Sequence, residues 1–154
     1  MTVRGLLNAW DKWWFTPQPV LPIALFRICF GLVVVQYGMV MAPDVLRWFG
    51  DQGVLPLSSA KAAGFHPHIN LLACLPPGDA WVTAFFLVFV AATVTLTLGL
   101  CTRVSAIAVW LGLVTLYNRN LTIANGGTIL MVIFSYLLIF TRAGDALSLD
   151  RLRR

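Results

Sequence analysis

The chain has 154 residues, of which 59% are apolar and 11% charged, and its formal net charge is +5. A soluble domain carries about 25% charged residues, so this composition excludes an ordinary water-soluble globule and points to an integral membrane protein, with residues 1–154 forming one transmembrane domain. The basic excess lies mainly at the ends and in the connections, where it reads as topology and lipid headgroup contact and not as a nucleic-acid footprint.

Residues 2–15, TVRGLLNAWDKWWF, place Leu6, Trp10, Trp13 and Trp14 near one helical face, with Arg4, Asp11 and Lys12 largely off it. That pattern predicts a short interfacial helix with an aromatic belt. It is too polar and too short for a signal-peptide core, and no cleavage is expected. Pro17, Pro19 and Pro22 then close this helix and open the next, because proline fits only a helix's first turn.

Residues 21–41 are apolar for about twenty positions, enough to cross a hydrocarbon core of ~30 Å. The run holds one permanent charge, Arg27. A guanidinium at that depth is unfavourable by a few kcal/mol unless it is partnered, faces water or snorkels to the interface. Arg27, Gly31, Val34 and Gly38 share one face by 3.6-residue periodicity, with Gln36 opposite. The two glycines mark places where another backbone can come close.

Residues 43–79 form the one long connection, with a turn at Asp51, Gln52 and Gly53 and a broken apolar stretch at 57–72. It is expected to lie on the membrane surface, capping the bundle. Pro76, Pro77, Gly78 and Asp79 stop it and cap the second span, residues 81–100. Thr93 and Thr97 share a face of that span. A tight turn at residues 101–103 leads to a short third span, 104–118. Asn125, Gly126 and Gly127 make the next turn, the fourth span covers 126–141, and residues 142–154 form a basic tail. The fold class is therefore all-α: a polytopic membrane protein with four transmembrane helices plus the N-terminal interfacial helix. With the N-terminus inside, Arg4, Lys12, Arg103, Arg142, Arg151, Arg153 and Arg154 lie on the inner side, and Arg47, Lys61 and Arg119 on the outer. Seven against three puts both termini in the cytoplasm of what reads as a bacterial inner membrane.

Few residues invite chemistry. His66 and His68 flank Pro67, and two imidazoles could begin a metal site, but no third ligand is near, so no metal is assigned. Cys29, Cys74 and Cys101 fall in different layers and read as packing residues. No catalytic set is assigned either: there is no Ser-His-Asp set, no phosphate-cradling loop and no paired intramembrane carboxylate. Asn118, Arg119, Asn120 and Asn125 form the densest polar cluster beside the membrane. They read as an interfacial turn satisfying helix ends, or, with Arg27, as a pocket for the anionic or carbonyl end of a lipid-like ligand. Arg27 also invites a structural reading. It can reach Asp145, Asp150 or the carbonyls ending the fourth helix, and so clamp the first span to the last.

Five stretches occur in a telling order. They are Leu25, Phe26, Arg27 and Ile28 followed by Gly31; Gly53, Val54, Leu55 and Pro56; residues 99–103, GLCTR; Arg119 and Asn120 with Asn125, Gly126 and Gly127; and Ser148, Leu149 and Asp150. In this order they resemble the HTTM (horizontally transferred transmembrane domain) family, whose best-known enzyme is the vitamin K-dependent gamma-carboxylase. The resemblance implies a polytopic membrane fold. Family members often carry an acidic residue after the paired glycines, where this chain has Thr128, and the carboxylase's catalytic lysine belongs to a region beyond the matched part. The sequence thus reads as a non-catalytic accessory or scaffold subunit packing against a larger membrane assembly, with membrane lipids and other membrane subunits as partners and no cofactor. The alternative is a quinone- or lipid-handling enzyme related to the carboxylase, with a quinone or vitamin K-like ligand.

Overall fold

A computed structural model describes residues 10, 19–56, 69–120, 123 and 125–152. The expected interfacial helix at 2–15 lies almost wholly outside them, as do His66 and His68. The described chain is helical, with no strand among the described residues. Helix α1 is Leu21–Met41, with proline in its first turn; a 3-10 turn at Ala42–Asp44 and helix α2 at Val45–Phe49 follow. A 3-10 turn at Leu71–Cys74 leads to α3 at Asp79–Leu98, α4 at Thr102–Arg119, α5 at Gly126–Ile139 and a last turn, α6, at Leu149–Leu152.

Two helical stretches are long and apolar enough to cross a membrane, Leu21–Phe49 and Asp79–Leu98. Helix α1 has the bounds 21–41 that the sequence reading gave its first span, but the chain stays helical on to Phe49, where that reading began the loop at 43. Pro43 does not stop the helix because it falls in the first turn of the 3-10 segment, where its missing N–H removes no needed hydrogen bond. The third helix is longer at both ends than residues 104–118, and the fourth stops at Ile139, two residues before 141.

Helices α1, α3, α4 and α5 run alternately up and down, α1 against α3, α3 against α4 and α4 against α5. The ring of Phe134 on α5 meets Phe26 and Phe30 on α1 at 5.5 and 6.5 Å, which brings last helix back to first. Arg27, Gly31, Val34 and Gly38 are all buried, so the face sharing the arginine is the one turned inward. Gly31 allows the close approach of α1 to α3: a Cβ there would collide with Thr97. Thr93 and Thr97 satisfy their hydroxyls on their own helix, at the carbonyls of Val90 and Thr93, both at 2.7 Å. Helix α4 is the most enclosed, with ten buried residues, so its polar Ser105 and Thr115 face protein and not the outside. Phe49, Phe86, Phe89, Leu96, Val109 and Leu113 fill the centre.

Candidate functional site

The bundle has two polar ends, each organised by one buried arginine. At the end that holds the start of α1, Arg27 is wholly buried. Its Nη1 donates to the Ala143 carbonyl at 2.7 Å and its Nη2 to the Leu147 carbonyl at 2.6 Å. Both acceptors lie in the stretch after α5, which turns back across the bundle. Leu147 has a φ of +49°, a left-handed conformation that costs a non-glycine residue about 1 kcal/mol or more. Gly99, which ends α3 with a φ of +73°, makes room for this arrangement: a Cβ there would stand 2.7 Å from Arg27 Nη1 and against Ser148. Its own N–H closes on the carbonyls of Leu96 and Thr95.

Asp145 and Asp150 were the carboxylates within reach of Arg27. Asp150 attracts it through space, but its oxygens go to the start of α4. Oδ1 accepts from Cys101 N–H at 2.9 Å, and Oδ2 accepts from Thr102 N–H at 3.1 Å and from Thr102 Oγ1 at 3.3 Å. A carboxylate on the free N–H groups of an 18-residue helix is favoured by the helix dipole as well as by the bonds. Asp150 N–H in turn donates to the Gly99 carbonyl at 3.2 Å. Asp145 is exposed, beside Arg142 in the wall of an open cleft. Arg27 is therefore tied to the carbonyls at 143 and 147, and Asp150 ties the same stretch to α4.

At the other end, Arg119 closes α4 and is 3% exposed. Its Nη1 donates to the Leu55 carbonyl at 2.8 Å and its Nη2 to the Phe49 carbonyl at 3.1 Å. Asn120 Nδ2 donates to the Trp48 carbonyl at 3.0 Å, and Asn118 Nδ2 to the Ile69 carbonyl at 2.8 Å. These three consecutive side chains hold the connection that leaves α2 and the segment that enters α3. Asn125 stands apart and caps α5, accepting from Thr128 N–H at 3.0 Å. Asp79 begins α3 without a side-chain cap; its Oδ1 accepts from Asp51 N–H at 3.0 Å instead.

The structure thus brings Asn118, Arg119 and Asn120 together but puts Arg27 at the opposite end of α4, whose 18 residues measure ~27 Å. One ligand group cannot bridge the two. A cavity of about 320 Å³ does lie at the Arg119 end, walled by Phe49, Asp51, Leu72, Trp81 and Arg119 among others. The sequence reading passed over Asn70, which is 8% exposed with an Nδ2 that has no hydrogen-bond partner. Its Oδ1 caps the 3-10 turn by accepting from Ala73 N–H at 3.3 Å, and an asparagine directly before an apolar Leu-Leu pair is the cap signal that could have found it. No group of three or more His, Cys, Asp or Glu suited to a metal occurs among the described residues.

The motifs quoted from the sequence converge on these two ends. Arg27, residues 99–103 and residues 148–150 meet at one; residues 53–56 and Arg119 with Asn120 meet at the other. Neither the curated proteins nor the solved structures offered a match to the chain. The model of the HTTM domain matches residues 15–154, nearly the whole chain and both arginine-centred ends, and the protein belongs to that family of membrane domains.

Proposed function

We propose that this chain is a four-span membrane module that serves as a non-catalytic accessory or scaffold subunit. In this reading α1, α3, α4 and α5 all cross a bacterial inner membrane, with both termini cytoplasmic, as the seven-to-three bias of basic residues favours. One observation carries it: both buried arginines spend their terminal nitrogens on main-chain carbonyls of their own chain. Groups so engaged act as clamps between helices and connections and are not presented to a substrate. Outside, α1, α3 and α5 offer large exposed apolar side chains such as Leu32, Val40, Val88 and Leu137, which suit packing against lipid or a neighbouring membrane protein.

The second reading, a quinone- or lipid-handling enzyme, is favoured by the cavity beside Arg119, where a carbonyl-bearing ring would meet Trp81 and Phe49 with Asp51 and Arg119 nearby. Purification in mild detergent separates the two. A partner protein retained in fixed stoichiometry, and lost when Leu137→Arg or Val88→Arg alters an outer face, supports the subunit. A quinone that co-purifies, and is lost on Trp81→Ala, overturns it in favour of the enzyme.

A further inference from the structure

A groove of about 740 Å³ lies at the Arg27 end between α1, the end of α3 and α6. That volume is within the ~300–1,000 Å³ typical of small-molecule sites. Ile28, Leu98, Leu147 and Leu152 give it an apolar wall, and Arg151 stands at its edge. Its two helical walls belong to the two stretches long enough to cross a membrane. Three of its apolar residues are held open to the outside: Leu98 and Leu147 are half exposed and Leu152 is 82% exposed.

The polar atoms in the wall are spoken for, with one exception. Thr97 Oγ1 donates to the Thr93 carbonyl. Ser148 Oγ donates to the Gly144 carbonyl and accepts from Arg151 N–H. Asp150, next to Arg151 in sequence, turns its carboxylate to the start of α4. Among the described residues no carboxylate pairs with the Arg151 guanidinium. The groove therefore combines a long apolar trough with a cation at its rim that no carboxylate among the described residues pairs with, and the occupant that complements both is an anion carrying an alkyl chain.

We propose that this groove binds one anionic phospholipid, the phosphate at Arg151 and an acyl chain along Ile28, Leu98 and Leu152. The site is independent of the subunit reading, since it rests on different residues. A bound lipid would bridge α1 and α3 to α6 and so brace the segment that carries the acceptors of Arg27.

The test is native mass spectrometry of the full chain in mild detergent, titrated with phosphatidylglycerol and with phosphatidylcholine of matched acyl chains. The first lipid bound should be phosphatidylglycerol, preferred by about fivefold, the effect expected for one basic residue at an anionic headgroup. Arg151→Gln should abolish that preference, Leu98→Trp should weaken both lipids by filling the trough, and Arg153→Gln with Arg154→Gln should leave the preference in place. Equal binding of the two lipids, or a preference that survives Arg151→Gln, overturns the proposal. So does a preference lost only with the tail substitutions, which would be diffuse attraction. Displacement by glycerol phosphate alone, or by oleate as readily as by phosphatidylglycerol, would assign the site to a free phosphate or a fatty acid and equally overturn it.

Discussion

Replacing Arg27 by methionine keeps an unbranched apolar stem in the buried face of α1 and removes only the guanidinium. Two carbonyls, Ala143 and Leu147, then lose donors at 2.7 and 2.6 Å. The buried Ala143 carbonyl left unpaired costs about 1–3 kcal/mol, and the part-buried Leu147 carbonyl, which water can reach, costs less. Part of that is recovered because a wholly buried charge no longer has to be desolvated, and its Nε has no hydrogen-bond partner to lose. The net loss should be about 1–3 kcal/mol, read as a shift in reversible unfolding in mixed micelles. Trypsin supplies the local reading: with the clamp gone, cleavage at Arg142 and Arg151 should accelerate before the bundle as a whole unfolds. Arg27→Lys should recover less than half, since one ammonium lacks the planar fork that spans two carbonyls. An Arg27→Met protein as stable as the wild type, with unchanged cleavage at Arg142 and Arg151, would refute the clamp.

Asp150→Asn should cost about 1–2 kcal/mol by unfolding in the same micelles, because an amide supplies one acceptor oxygen where the carboxylate supplies two to Cys101 and Thr102. A double-mutant cycle with Arg27→Met should give less than additive loss, both residues holding the stretch after α5. Gly99→Ala should destabilise by about 2 kcal/mol or more, from left-handed backbone and from a methyl forced toward Arg27 and Ser148. Arg119→Leu should release the connection after α2, seen as faster amide exchange over residues 50–56 while α3 and α4 stay protected. Cysteines placed at Val54 and Leu152, both well exposed and at opposite ends, should label from opposite sides of the membrane in a chain freed of Cys29, Cys74 and Cys101; labelling of Leu152→Cys from outside intact cells would overturn the cytoplasmic assignment.

Much of this was legible in the residues. A single arginine in twenty apolar positions announces that something must meet it, and the glycines at i+4 and i+11 on the same face announce close packing. The partner was less legible. Residues 143 and 147 accept through their backbones, which carry no side-chain signature, and they are presented by a left-handed Leu147 that no turn chemistry foretells. Asp145 and Asp150 drew notice because charge is visible in sequence, whereas a carbonyl is present at every position. The Asn118 to Asn120 run was recognisable as polar and interfacial, but its separation from Arg27 depends on α4 running the full depth of the bundle between them. The continuation of the first helix past Met41 was hidden by Pro43, which is a stop in a helix interior and harmless in a first turn.

The helices differ in reach, and that has a consequence for the surrounding lipid. Helix α1 has 21 residues and extends for ~32 Å before the 3-10 turn and α2 add to it, whereas α5 has 14 and extends for ~21 Å. Phe134 holds α5 beside α1, so these unequal lengths sit next to each other on one side of the bundle. A hydrocarbon layer of ~30 Å is overshot by the first and undershot by the second. Under the four-span arrangement a short α5 is met by thinning of the bilayer around it or by its flanking residues reaching to the interface, while α1 tilts or lets Val45–Phe49 stand among the headgroups. Where the bilayer thins, the protein would carry a dent in the membrane on its α5 flank, and that dent would be shallower, and the protein better accommodated, in membranes of shorter acyl chains.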